Sequence, residues 1–500
     1  MTDDKLQTLN EEALAVKTIE SDELDVLLKK SFKPKTEETS NAINKAVHSL
    51  AERALSETVL ISQNSITTIE AFIAYIDKKM TEQINHILHH EDFRILEGSW
   101  RGVERLVQNS ETGEKLKVRV LDASKKELGK MFKKYKGTAW DQSPLFKKLY
   151  EEEYGSAGGE PYGCMIGDYE FCHRAPDIAW LEGMSKVSAA GHIPFISAVS
   201  PELFNMESWD EVSNPRDISK ILSTAEYASW NSLRENEDSK YIGLTMPRTL
   251  ARLPYNNKDN PVEEFDFEEN VTGKAKGRFV WSNAAYAMGL NVNRAFLEYG
   301  WCTAIRGVEN GGVVEGLPAY SFQTDDGGID MTCPTEVAIT DRREAELSKA
   351  GLLPLTHWKN TDYAVFIGGQ SLYAPGEYDN PEATANANLS ARLPYMFAIC
   401  RFAHYLKCIV RDKIGSFSNV SDIQNYLSQW ISQYVVDPTG ISNRVKACYP
   451  LSEAQVEVIE DESNPGYYKS IFHLKPHFQL EGLTVSLRLV SKLPAAGGGE

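Results

Sequence analysis

The chain has 500 residues, too many for one compact core, and its 42% hydrophobic and 25% charged residues are the balance of ordinary folded domains. With 71 acidic against 53 basic residues, its formal charge of −18 excludes a surface built to neutralise nucleic-acid phosphates or anionic lipid. A bilayer span needs roughly 20 clean apolar residues, and the longest apolar stretch, 393–410, is broken by Arg401, His404 and Lys407.

Residues 1–40 are acidic and poor in aromatics, with apolar pulses at Leu14, Val16 and Ile19 and again at Leu24, Val26, Leu27 and Leu28. Too little to fold alone, this segment reads as an arm that docks onto something else. Two amphipathic helices are predicted next. The first carries Ile43, Ala46, Val47, Leu50, Ala54 and Leu55; the second opens near Ser65 and carries Ile66, Ile69, Phe72, Ile73, Ile76, Met80, Ile84 and Ile87. A shorter helix is predicted from Trp100 through Val103 to Val107.

The period then changes. Leu116, Val118 and Val120 alternate as in a strand. Residues 164–168 read as a strand, 176–191 as a helix with Ile178, Leu181, Met184, Val187 and Ala190 on its apolar side, and 193–199 as a second strand. That cadence is a βαβ unit and implies a parallel pair. It recurs as a helix over 283–299 and a strand over 301–305, so the middle of the chain is expected to be an α/β domain. After Pro375-Gly376 come an apolar, buried helix over 394–410 and a second helix opened by the capping box Ser421-Asp-Ile-Gln424. Strands follow at 455–459, 467–474 and 483–490, the last alternating Leu483, Val485, Leu487 and Leu489 against polar neighbours.

Candidate chemistry is thin. His86 and His90 share a helix face with His89 beside them, but no Glu of an HExxH pattern and no third ligand accompany them. The macrodipole favours histidines at a helix C-terminus in any case. Cys172 adjoins His173, with Cys164 nearby, whereas nucleophile–base pairs meet in space from separate elements. These cysteines read as structural. Seven cysteines, an odd number without a CxxC pair, suit buried thiols of a reducing compartment, and the polar N-terminus is unlike a secretory signal; a cytoplasmic protein is expected. The run Asp325-Asp-Gly-Gly-Ile-Asp330 lacks the alternating oxygens and terminal Glu of a calcium loop. Gly311-Gly312 and Gly368-Gly369 meet no phosphate-binding fingerprint. No catalytic, cofactor or metal residue is assigned.

The most specific segments are Tyr241-Ile-Gly-Leu-Thr-Met-Pro-Arg-Thr-Leu-Ala-Arg-Leu-Pro-Tyr255 and Ala383-Thr-Ala-Asn-Ala-Asn-Leu-Ser-Ala-Arg-Leu-Pro-Tyr395. With His89-His-Glu-Asp-Phe93, Trp100-Arg-Gly-Val103, Pro476-His-Phe-Gln479 and Leu487-Arg-Leu-Val-Ser-Lys-Leu-Pro494, the chain resembles the large subunit of the type VI secretion contractile sheath. The resemblance implies a mixed α/β contractile-sheath fold, with a wall domain built from both chain ends and a central α/β outer domain. It also implies a heterodimer with a small sheath subunit, stacked with other protomers into rings around an inner tube of hexamers. A baseplate and an AAA+ ATPase that disassembles the contracted sheath complete the implied partners. The expected divisions are 1–40 as arm, 41–92 as amphipathic helices, 93–375 as outer domain, 376–494 as wall domain and 495–500 as tail. Strand exchange between protomers would then use Leu14, Val16, Ile19, Leu483, Val485, Leu487 and Leu489. Two other readings compete: a phage-like contractile tail sheath protein, and a soluble α/β hydrolase-like enzyme with a site at the edge of the middle sheet.

Overall fold

In a computed structural model, residues 65–477 are described apart from 215–216, 272–275, 324–326, 377, 414–419 and 461–467. The chain divides into two compact units. The described part of the first comprises residues 65–94 and 253–279. Its helix α1 (Ser65–Leu88) is held to the returning segment through Asn85, whose amide donates to the Glu268 carbonyl at 3.1 Å and accepts from the Asn270 amide at 2.8 Å. Phe267 and Phe279 are its buried anchors, while Ile73 and Ile87 on α1 stay exposed.

The second unit is a three-layer α/β domain followed by a helical and β end. Helix α2 (Glu91–Gln108) leads into it, and α3 (Lys125–Lys134) follows behind a capping box made by Ser124 and Glu127. Strand β1 (Met165–Phe171), helix α4 (Ala175–Gly191) and strand β2 (Phe195–Val199) form the expected βαβ unit, with β1 and β2 parallel. Helix α5 (Ala228–Glu235) precedes β3 (Ile242–Met246), every residue of which is buried. Short β4 (Thr249–Leu250) pairs with β5 (Trp281–Ser282), and helix α6 (Ala284–Tyr299) starts from the Asn283 cap. Strands β6 (Val313–Val314), β7 (Ser321–Gln323) and β8 (Ile329–Met331), helix α7 (Asp341–Lys349), then β9 (Leu353–His357) and β10 (Ala364–Phe366) complete the domain. The main sheet runs β1-β2-β3-β9-β10-β6, parallel through β9 and antiparallel beyond.

The pleat distributes side chains to two cores. Phe195, Val199, Ile242, Leu244 and Met246 join α4 and α3 on one face. Ile196, Leu353, Leu355 and Phe366 join α6 on the other. On that second face β3 carries Gly243, where a Cβ would stand 2.8 Å from Leu393 Cδ1. Leu393 begins helix α9 (Leu393–Asp412), just after α8 (Pro381–Ser390), and Tyr241 packs with Met396 and Cys400 of α9. The two most specific sequence segments therefore meet in the core. Helices α10 (Val420–Ser432) and α11 (Asn443–Cys448) and the hairpin β11 (Leu451–Glu460) with β12 (Tyr468–Pro476) close the described chain.

Two expected strands are absent. Residues 116–120 form none: Val120 is exposed, and the stretch is tethered by its charged residues, Lys117 to Glu160 and Arg119 to Glu153 and Glu160. Residues 301–305 are buried coil rather than strand. After the left-handed turn at Gly300, Trp301 stacks on Phe402 at 4.1 Å while Ala304 and Ile305 enter the sheet-side core. An apolar run records burial, which a packed loop satisfies as well as a strand. Helix α9 is buried all round only in its first half; beyond Leu406 it is half-buried.

Helix α2 lies against Trp281 and Tyr286 through Gly98 and Gly102, and a Cβ on Gly98 would stand 2.2 Å from the Trp281 carbonyl oxygen. Gly98→Ala should thus cost about 1–3 kcal/mol through forced separation of helix and loop. A thermal melt lowered by a few degrees or more is the expected result, and an unchanged melt would refute the close approach.

Candidate functional site

An α/β enzyme would place its site beyond the carboxyl ends of the parallel strands. Here that edge carries paired polar and charged groups, with an open cleft beside it lined by Phe204, Asn205, Glu226 and Tyr227. Asp177, at the start of α4, accepts from the Cys172 amide at 2.9 Å and from its thiol at 3.3 Å, and pairs with Lys125 at 2.7 Å. Burial, aided by that carboxylate, pushes the Cys172 thiol up, which disfavours a thiolate nucleophile. His173 does not serve Cys172; its Nε2 faces Glu226 at 3.2 Å. Arg248, two residues past β3, forms a bidentate pair with Glu336 at 2.8 and 2.9 Å. Cys164 is half-buried and burial raises its pKa well above the ordinary thiol value.

Of the three clustered histidines only His86 lies on α1, which ends at Leu88; His89 and His90 fall in the turn before α2, so the expected shared helix face is not formed. His89 Nε2 lies 3.4 Å from the buried Glu269, and burial keeps the imidazole below its usual pKa against that carboxylate's pull. His86 and His90 are exposed, and His90 lies 3.8 Å from Asp92. Among the described residues no group of three or more His, Cys, Asp or Glu is arranged to hold a metal ion. No helix among them is long and apolar enough to cross a membrane.

What the second unit does present is uncovered apolar surface. The glycine face of α2 is buried, and a buried ion pair fixes it: Arg252 Nε meets Glu97 Oε1 at 2.6 Å, with Arg101 on the same oxygen at 2.7 Å. Burial alone would raise the Glu97 carboxyl, but the two guanidinium groups hold it below the usual range. On the far side of the same helix, Leu96, Trp100, Val103 and Val107 recur at spacings of four, three and four, a narrow apolar seam. Trp100 is 64% exposed and Leu96 55%, values that no packed core side chain shows. This seam was visible in the sequence as Trp100, Val103 and Val107, but nothing there told which face of the helix stays open.

The second open surface is the β11–β12 hairpin. Ala454, Val456, Val458, Phe472 and Leu474 face α9 and α10. Ile459 and Ile471 are exposed on its other side. Among the described residues no further strand lies along its outer edges beyond a bridge from Val435 to Leu451, and Gln424 of α10 donates to the Val456 carbonyl at 3.1 Å. Such edges are templates for a further strand. The residues expected in strand exchange, Leu14, Val16, Ile19, Leu483, Val485, Leu487 and Leu489, lie outside the described residues.

Comparison with known proteins decides what kind of molecule carries these surfaces. Residues 70–373 match the family described as EvpB/VC_A0108, tail sheath N-terminal domain, and residues 382–493 match its tail sheath gpW/gp25-like domain. A protein of Pseudomonas aeruginosa named type VI secretion system sheath protein TssC1 is 62% identical over 480 residues, covering 96% of each chain. This chain belongs to the type VI secretion sheath family. It is a structural sheath protein of mixed α/β fold, as the resemblance implied. Looser likenesses reach chains in the cryo-EM structures of the anti-feeding prophage baseplate and its contracted helical sheath. The first has 11% identity, 75% and 83% coverage of the two chains and a TM-score of 0.37. The second has 10% identity, 62% and 66% coverage and a TM-score of 0.30.

The sheath protein also carries a buried titratable group on α9. His404 on α9 is 2% exposed, with Nε2 at 2.9 Å from the Gly191 carbonyl. Burial depresses its pKa to about 4; the Gly191 bond opposes this, while Arg401, His192 and Lys407 add to it. The unfolded imidazole titrates near 6.5. Its contribution is therefore complete above that value and is lost as pH falls toward 4, at a cost of order 3 kcal/mol. Urea midpoints should fall between pH 7 and pH 4.5, and His404→Gln should flatten part of that slope. Equal slopes in both proteins would refute this assignment.

Proposed function

We propose that the open seam of α2 and the edges of the β11–β12 hairpin are the joints by which this sheath protein assembles. The seam docks a helix of a small sheath subunit, giving a heterodimer. The hairpin edge takes strands from neighbouring protomers, so that stacked rings stay attached while they slide. The resemblance supports the remaining partners: an inner tube of hexamers, a baseplate and a AAA+ disassembly ATPase, in the cytoplasm. The chain's own work in this reading is mechanical, without catalysis, and the pairing of Cys172 with Asp177 and of Arg248 with Glu336 favours that over a hydrolase. The observation that carries the proposal is the exposure of Leu96 and Trp100 on a helix whose opposite face is anchored. Each large apolar side chain covered by a partner contributes about 1.5–3 kcal/mol.

Leu96→Glu with Trp100→Glu should therefore abolish co-purification with a co-expressed small subunit. The folded chain should be spared, since neither side chain supports the core. Full recovery of the complex would exclude the seam as the docking face.

The strand-exchange half is tested by deleting residues 1–20. Heterodimers that no longer polymerise in negative-stain images are expected, and normal contractile tubes would show the arm to be dispensable. Charged residues at Val485 and Leu487 should weaken the lattice further, because strand addition gains both main-chain bonds and alternate side-chain burial.

A further inference from the structure

One thiol in the second unit differs from the others. Cys333 lies just after β8, half-buried, and faces two polar partners. Its Sγ is 2.9 Å from the Thr335 hydroxyl, and the imidazole of His357, at the end of β9, hydrogen-bonds it. The second imidazole nitrogen is already committed, with Nε2 at 2.9 Å from the Thr361 carbonyl. A carbonyl only accepts, so Nε2 carries the proton and Nδ1 is left as the base toward sulfur. Thr335 is held in turn, its hydroxyl donating to the Val337 carbonyl at 2.9 Å. Swinging that one proton to sulfur is the sole rearrangement needed to receive a negative charge.

We propose that Cys333 is the reactive thiol of this chain, a modification site for peroxides and small soft electrophiles that is prepared by His357 and Thr335. The arrangement has the parts of an activated thiol: a nucleophile, a base from a separate element, and a carbonyl that fixes the tautomer of the base. Burial alone would raise the Cys333 thiol, yet the His357 and Thr335 bonds bring it below the ordinary value. Burial would likewise lower His357, and the thiol and the Thr361 carbonyl raise it. Cys164, Cys302 and Cys400 show the opposite pattern, each pushed up by burial with no histidine bond to offset it. With hydrogen peroxide, the thiolate sulfur attacks one peroxide oxygen: the S–O bond forms and the O–O bond breaks. The departing hydroxide takes the His357 proton and leaves as water. Sulfur is oxidised by two electrons to the sulfenic acid, which keeps the proton of the attacked oxygen, and peroxide is reduced to water.

The test uses the native full-length protein with limiting iodoacetamide from pH 5 to 9, mapping each alkylated cysteine by peptide mass. The rate at Cys333 should have its midpoint below that of free cysteine in the same reaction. In mildly acidic buffer the thiolate fraction at Cys333 then exceeds that of free cysteine, roughly tenfold when the two midpoints lie one pH unit apart. His357→Asn should move the midpoint up, and limiting peroxide followed by a dimedone probe should tag Cys333. A melt of His357→Asn checks its fold; if that variant unfolds, the wild-type profile alone decides. A Cys333 midpoint at or above that of free cysteine, or no labelling of Cys333 by either reagent, would overturn the proposal.

Discussion

The structure of the second unit depends on one close approach, Leu393 seated on Gly243. The strand Ile242–Met246 is buried on both faces, so its backbone must be paired on both edges and its side chains must find room above and below. One face takes Ile242, Leu244 and Met246 into the α4 side of the core. The other has a glycine where helix α9 begins, and Leu393 occupies the space a Cβ would take. Beside it the Leu372 amide donates to the Ile242 carbonyl at 2.8 Å, tying the segment before α8 to the same strand. Sheet and C-terminal helices are thereby one packed body, a rigid base on which exposed surfaces can be held in place.

Helix α2 shows how such a base is used. Its two glycines bring the backbone onto Trp281 and Tyr286, and the Glu97–Arg252 pair locks rotation about the helix axis. A buried ion pair is not in itself a source of stability, because desolvation opposes the Coulomb attraction. What it supplies here is direction: with Glu97 held inward, Leu96, Trp100 and Val107 stay exposed and Val103 half-buried. A sheath protein needs surfaces of this kind, whose partners are other molecules, and the rigid inner face lets the outer seam remain apolar without collapsing onto its own core. The hairpin β11–β12 follows the same division, one face spent on α10 and the other left open.

Charged and nucleophilic groups are used mostly to pin loops. Asp177 ties the end of β1 to α3 and α4, and Arg248 ties the end of β3 to the loop before α7. These pairs occupy the edge where an α/β enzyme would bind its substrate. Cys333 stands apart because its partners leave the sulfur an option of charge that Cys172, bonded to a carboxylate, lacks.

By itself the sequence determined the elements whose periodicity is long or whose burial is one-sided: the βαβ unit at 165–199, helix α6, helix α9 and the β11–β12 pair. It also determined the family, through segments such as Tyr241-Ile-Gly-Leu-Thr-Met-Pro-Arg248 whose residue types are demanded by tight packing. Tertiary structure alone decided the rest. Residues 116–120 alternate like a strand, with Leu116 and Val118 half-buried, yet their charged side chains found ion-pair partners, Val120 stayed exposed and no described strand pairs with them. Residues 301–305 are apolar enough for a strand, but Trp301 was claimed by Phe402 and its neighbours by the opposite core. The seam of α2 and the Cys333–His357 pair join residues through faces and separations that one-dimensional pattern does not encode. Periodicity reports which residues avoid water, whereas only the packed chain fixes what each of them touches instead.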